Sequence, residues 1–134
     1  MNKQINNKEK FVLYDAKGEI LGRIATRIAK DLSGKNEVNY DPRIGGDTRV
    51  VVINSSKVRL SGEKDKKKIY WRHSGFPGGI YARSFEEMKE KDSREIIHKA
   101  VKGMMPKNKI SKEAMKRLRV FESEEHPYKD KFSA

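Results

Sequence analysis

Histidine is the side chain that titrates nearest neutrality, and this 134-residue chain has three, His73, His98 and His126. They are far apart in sequence, and none falls in a metal-ligand spacing such as HExxH. The chain contains no cysteine, so a zinc site would have to gather carboxylates from distant segments; no metal and no cofactor is expected. Ser33-Gly34-Lys35 has the look of a phosphate loop. However, the earlier glycine and the following Ser/Thr of GxxxxGK[ST] are missing, and the triplet ends a helical pattern instead of opening one. No nucleophile elbow, GxSxG, occurs. His73 with a nearby carboxylate could cleave RNA by general acid–base catalysis. Histidines in basic loops more commonly contact phosphate or water, and no catalytic residue is expected.

The cations carry more information. There are 31 Lys+Arg against 19 Asp+Glu, a net charge of +12 and a pI near 9.9. Residues 57–73 hold seven Lys/Arg and two acids, and residues 99–119 hold eight Lys/Arg and one acid, Glu113. These two blocks sum to the charge of the whole chain, while residues 84–98 and 120–134 are each net −2. A charge run is ordinarily a solvated face. Two runs this lopsided in so small a chain repel themselves, and a polyanionic partner relieves that repulsion. No basic stretch also has the wide apolar face of an interfacial helix, so nucleic acid is favoured over membrane. The first block contains Lys66, Lys67 and Lys68, and the second contains Lys116 and Arg117, all candidates for phosphate contact. Tyr70-Trp71-Arg72-His73, with Phe76 and Tyr81 nearby, interleaves aromatics with cations, a composition suited to stacking unpaired bases while holding phosphates. Equally, Tyr70 and Trp71 alternate into and out of a sheet, so one of them is core. Arg72 and His73 are the pair expected to face RNA. With basic residues spread over several loops and no recognition helix, shape-based RNA binding is favoured over readout in a DNA groove.

The elements that position these residues follow from periodicity. Residues 1–10 read as a disordered polar arm. Phe11-Val12-Leu13-Tyr14 is a short buried strand that turns at Asp15-Ala16-Lys17-Gly18. Ile20, Leu21, Ile24, Ala25, Ile28, Ala29 and Leu32 form one helical stripe, with Arg23, Arg27 and Lys30 off it and Gly34 just past its end. Residues 35–47 are loop. Val50-Val51-Val52-Ile53 is continuously β-branched, as in a strand covered on both faces. Lys57-Val58-Arg59-Leu60 alternates like a strand, residues 63–68 make a surface excursion, and 73–79 form a Gly/Pro loop. The glycines of that loop, Gly75, Gly78 and Gly79, either admit RNA close to the backbone or satisfy positive-φ turns. Ser84 and Glu87 have capping-box spacing. A second cap at Asp92 or Ser93 opens a helix through Ile96, Ile97, Ala100 and Val101, which closes at Met104-Met105-Pro106. A short basic helix over 111–117, a last strand Leu118-Arg119-Val120-Phe121 and a polar extended tail complete the chain. Strand, turn and helix within the first 34 residues open an α/β layout.

The length fits one domain, 11–121, between the arm 1–10 and the tail 122–134. Charged residues make up 37%, against about 25% in ordinary domains, so the core is small. No run approaches the ~18 apolar residues of a membrane span, and MNKQINNKEK has no apolar stretch of a secretory signal. Absent cysteine fits a reducing cytosol.

In order and spacing, the segments 14–35 (YDAKGEILGRIATRIAKDLSGK), 46–62 (GDTRVVVINSSKVRLSG), 67–79 (KKIYWRHSGFPGG), 100–108 (AVKGMMPKN) and 118–128 (LRVFESEEHPY) resemble a known family. It is that of the thirteenth protein of the large ribosomal subunit, bacterial type. The resemblance covers about residues 11–128. It implies a compact three-layer α/β/α domain around a small, mostly parallel sheet of about four strands. It also implies a structural, non-catalytic protein of the cytoplasmic ribosome that binds large-subunit ribosomal RNA early in assembly, beside neighbouring subunit proteins. The family's basic residues correspond here to Arg23, Arg27, Lys35, Lys57, Arg59, Arg72, His73, Lys102, Lys107 and Lys109, and its His-Pro pair to His126-Pro127. The chain departs from the pattern at Tyr128, usually histidine, at Ser93, often proline, and at Ser111, often glycine. Two other classes remain open on the residues alone: an RNA-processing enzyme using His73, and a regulator binding messenger RNA away from the ribosome.

Overall fold

The computed structural model describes residues 3–6, 11–36, 38, 43, 46–62 and 67–132. Its centre is β3 (Arg49–Ile53), flanked by β2 (Phe11–Asp15) and β6 (Leu118–Val120), both parallel to it. On the outer side of β2, β1 (Lys3–Asn6) pairs antiparallel, giving a four-stranded sheet in the order β1-β2-β3-β6. An arm that reads as too polar to pack thus contributes a strand, because an edge strand is held by backbone hydrogen bonds rather than by apolar side chains.

Every second residue of the parallel strands enters the core. Val12, Tyr14, Val50, Val52, Leu118 and Val120 share one cluster with Leu21, Ile24, Ile28 and Leu32 of α1 (Leu21–Ser33) and Ile96, Ile97 and Val101 of α2 (Phe85–Met104). The intervening side chains, Phe11 and Val51, are buried on the other face. There the chain after β6 turns back and sets the Tyr128 ring 5.8 Å from Phe11. The helix α4 (Lys129–Phe132) lies beside β1 and β2. Helices on one face, the sheet, and this returning segment are the layers. The polar tail read from sequence is therefore not simply extended; Phe121, Tyr128 and Phe11 give it an apolar anchor.

The segment 57–60 alternates but does not join the sheet. A 3-10 turn over Ser55–Lys57 follows Asn54, whose backbone is left-handed at φ 59°. Arg59 then pairs as a single parallel bridge with Ile20. The reason lies in α1, whose first turn has no side-chain cap. The Arg59 carbonyl accepts from Leu21 N at 2.9 Å, satisfying a donor the helix start would otherwise leave open. At its other end α1 closes with Gly34 at φ 80°, Lys35 N bonding Lys30 O and Gly34 N bonding Asp31 O, the Schellman pattern.

That helix end is buried. Asp31 is 5% exposed; it accepts from the Tyr14 hydroxyl, and its Oδ1 accepts from Asn36 Nδ2 at 2.6 Å. Burial, then the bond to Asp31 and its negative charge, push the Tyr14 pKa upward. Tyr14→Phe removes a donor from a buried carboxylate. The expected loss is about 1.5–3 kcal/mol, read from the denaturant midpoint at unchanged slope. Gly46 crosses the same helix end so closely that a Cβ there would lie 2.9 Å from the Gly34 Cα. Backbone cannot yield as a side-chain tip does, so Gly46→Ala is expected to cost about 1–3 kcal/mol, measured the same way.

Candidate nucleic-acid interface

The long helix α2 is two helical runs joined at Asp92, whose φ of −161° and ψ of 98° break the helical pattern. Both caps expected from the sequence are present. Ser84 Oγ accepts from Glu87 N at 3.3 Å, and Asp92 Oδ1 accepts from Arg94 N at 3.0 Å. Ser93 is buried and pairs with Ser55 Oγ at 2.8 Å. The second run buries Ile96, Ile97 and Val101, which turns Lys99 and Lys102, three residues apart, to one exposed side. Pro106 then stops the chain from continuing as helix. Asn108 caps α3 (Lys109–Met115), its Oδ1 accepting from Ser111 N at 2.8 Å; the cap places this helix two residues earlier than the basic pattern suggests.

Between α2 and α3 lies an open groove of about 890 Å³, floored by Met105, Pro106 and Met115. Its rim carries Lys99, Lys102, Lys107, Lys109 and Lys112, all exposed. The structure thus gathers Lys102, Lys107 and Lys109, and adds Lys99 and Lys112. Those two were legible as i, i+3 partners of Lys102 and Lys109 had the helix faces been drawn.

Lys99 also borders a second cavity, about 380 Å³, between α2 and a hairpin made of β4 (Ile69–His73) and β5 (Ile80–Ser84). Arg72, His73, Tyr81 and Arg83 line it. Tyr70 is the partly buried member of the Tyr-Trp pair, and Trp71 is exposed. The ammoniums of Lys99 and Lys68 sit 5.2 and 5.4 Å from the Tyr70 ring centre, within cation–π range. The Tyr70 hydroxyl is buried with no hydrogen-bond partner among the described residues, and burial raises its pKa. At the hairpin tip His73 Nδ1 accepts from Gly75 N at 2.9 Å, so the ring holds the turn and leaves Nε2 as the outward donor. Gly75 and Gly78 have φ of 92° and 73°. Turn geometry therefore accounts for these glycines.

The remaining candidates are placed elsewhere. Arg23 is exposed on α1. Arg27 is half-buried and donates to Glu19 Oε2 at 2.9 Å, while Arg59 Nε donates to Gly18 O at 2.7 Å; Lys57 is exposed beside them. Lys35 borders a cavity of about 480 Å³ between the end of α1 and α3. Lys67 and Lys68 are exposed ahead of β4, and Lys66 lies outside the described residues. Arg117 donates to Leu32 O at 2.8 Å, a link to the buried end of α1. Lys116 is exposed, and both join Arg49 and Arg119 around a recess of about 190 Å³ on the far face of the sheet, beside Phe11 and Tyr128. Strand register alone brings Arg49 opposite Phe11 and Arg119 opposite Val51, so sequence reading missed both.

His98 lies between α2 and β6, bordered by Asp92, Glu95, Arg119 and Phe121. Burial lowers its pKa most; the charges of Arg94 and Arg119 lower it further, while Asp92 and Glu95 oppose them. His126 is lowered by burial and by Lys129. The folded state therefore takes up protons at both rings less readily than the unfolded chain, so around and below the ordinary value of 6.5 the unfolded chain binds more protons. Stability is expected to fall as pH drops from 7 toward 5. The decline should be shallower in His98→Gln, as measured by denaturant titration across that range.

The chain is thus a small basic α/β domain whose cations collect around shallow recesses and a groove, with His73 bound into a turn. The comparisons are specific within that class. The profile described as "Ribosomal protein L13" matches residues 9–127. The "Large ribosomal subunit protein uL13" of Petrotoga mobilis is 48% identical over 121 residues, covering 90% of this chain and 80% of the relative. The proteins of that name from Thermotoga maritima and Legionella pneumophila are 45% and 42% identical, each over 90% of this chain and over 81% and 84% of the relative. The chain belongs to the ribosomal protein L13 family.

Proposed function

We propose that this protein is a structural constituent of the large ribosomal subunit that binds its ribosomal RNA, enters early in assembly, and does no catalysis of its own. Family membership supports the first part. The observation that carries the RNA-binding part is the mainly basic track in which Lys99 borders both the Arg72–Arg83 cavity, where Glu95 is the one acid, and the groove lined by Lys102, Lys107, Lys109 and Lys112. Such a surface suits phosphates running along a folded RNA. Arg23, Lys35, Lys57, Lys67, Lys68 and Lys116 are exposed, and none sits in the core. Arg27, Arg59 and Arg117 are tied to Glu19, Gly18 and Leu32 and serve the fold first. Neighbouring subunit proteins are the other expected partners, and the bacterial cytoplasm, where its relatives' ribosomes work, is the expected location. With Nδ1 of His73 engaged by Gly75, that ring is a turn-holder and phosphate donor, not a general base.

The test is sedimentation of a native extract with and without a high-salt wash; co-migration with the large subunit through the wash supports the proposal, and protein left at the top in low salt overturns it. The triple variant Lys102→Ala, Lys107→Ala, Lys109→Ala should weaken binding to protein-free large-subunit RNA. It should also flatten the log–log salt dependence by about 2–3. Its thermal midpoint should stay within about 0.5 kcal/mol of the parent in stability, because all three side chains are exposed. Unchanged RNA affinity would contradict the assignment.

A further inference from the structure

The β4–β5 hairpin has two chemically opposite faces. Its pairing puts Tyr70 and Arg72 opposite Arg83 and Tyr81, the basic side already described. The same pairing puts Ile69 and Trp71 opposite Ser84 and Ala82 on the other side, with Ile80 next along it, while His73 at the tip borders the basic cavity. That side has no Lys, Arg, Asp or Glu, in a chain that is 37% charged. It is also bare: Ile69, Trp71 and Ile80 are 48%, 68% and 62% exposed, and Phe76 at the tip is 74% exposed. Of the seven large hydrophobic side chains exposed among the described residues, Ile69, Trp71 and Ile80 lie on this side and Phe76 stands at the tip. An apolar patch concentrated this way marks a contact surface, and a two-stranded ribbon is marginal in water without cover.

The chemistry of the face selects the occupant. An RNA strand requires cations beside its stacking rings, and the hairpin keeps its arginines on the opposite side. Ile69 and Ile80 are branched aliphatics and offer a base no flat surface. A tryptophan among uncharged aliphatics is the composition of the buried centre of a protein–protein interface. The neighbouring segment Glu63-Lys64-Asp65-Lys66 has no apolar side chain with which to cover it.

We infer that this uncharged hairpin face docks a second protein of the large subunit through an apolar, uncharged patch, with Trp71 as its anchor, while the opposite face meets RNA. The inference rests on the subunit assignment above, and the test separates the two. Trp71 is the sole tryptophan, so its emission reports on this face in the full-length protein. On binding protein-free large-subunit RNA its emission and its quenching by acrylamide should remain those of the free protein. Quenching by the RNA would mean a base stacks there and would overturn the inference, though not the RNA-binding proposal. Failure of the protein to be retained by that RNA overturns the RNA-binding proposal alone. In purified large subunits carrying Trp71→p-benzoylphenylalanine, irradiation should give an adduct that survives ribonuclease and is lost to protease. Its peptide should belong to another large-subunit protein and contain an uncharged apolar stretch. An adduct removed by ribonuclease, or no adduct, overturns the inference.

Discussion

The buried end of α1 is the constraint around which the molecule is arranged. A helix that ends inside a protein leaves carbonyl groups without partners, and this one also brings a carboxylate, Asp31, to its negative end. The chain answers from four directions. Tyr14 of β2 and Asn36 from the following turn supply donors to Asp31, Gly34 turns the backbone left-handed, and Arg117, just before β6, reaches Leu32 O. Gly46 adds a backbone passing almost in contact with Gly34. Two strands of the sheet and two connections are thereby fixed relative to one helix, and β3 takes its place between those strands.

That arrangement settles where the charge can go. A core made from one face of a small sheet and the inner stripes of α1 and α2 has no room for unpaired cations. Lysines and arginines are left to helix ends, turns and the far sheet face. Some are drawn into the fold: Arg27 onto Glu19 and Arg94 onto Asp92, whose carboxyl the guanidinium holds below the usual range. The lysines of α2, α3 and the connection between them are different. They share a groove lined also by Met105, Pro106 and Met115, where a polyanion would relieve their mutual repulsion.

The hairpin is the part of the molecule least determined by this core. Tyr70, packed against the core cluster, is its main attachment, and Phe85 follows directly from β5 into the interior. Its polar side faces α2 and its apolar side faces away. An exposed apolar side of this kind suits a surface that a partner would complete.

Much of this was readable from residues alone. The α1 stripe and its glycine end, the β-branched run of β3, the Ser84 and Asp92 caps and the two basic blocks are local patterns set by helix and strand periods and by capping chemistry. The segments 14–35, 46–62, 67–79, 100–108 and 118–128 together were enough to indicate the family. Other features depended on partners distant in sequence. Lys57–Leu60 alternates like a strand, yet it caps α1, because the open amide of Leu21 was the available partner. Lys3–Asn6 is polar, yet it pairs, because an edge needs only backbone. Arg49 and Arg119 share a recess through strand register, and Arg117 became structural because Leu32 O ended beside it. A sequence determines which groups need burial, capping or neutralisation; which distant group meets each need is decided only when the chain closes on itself, since those contacts depend on geometry that local periodicity does not encode.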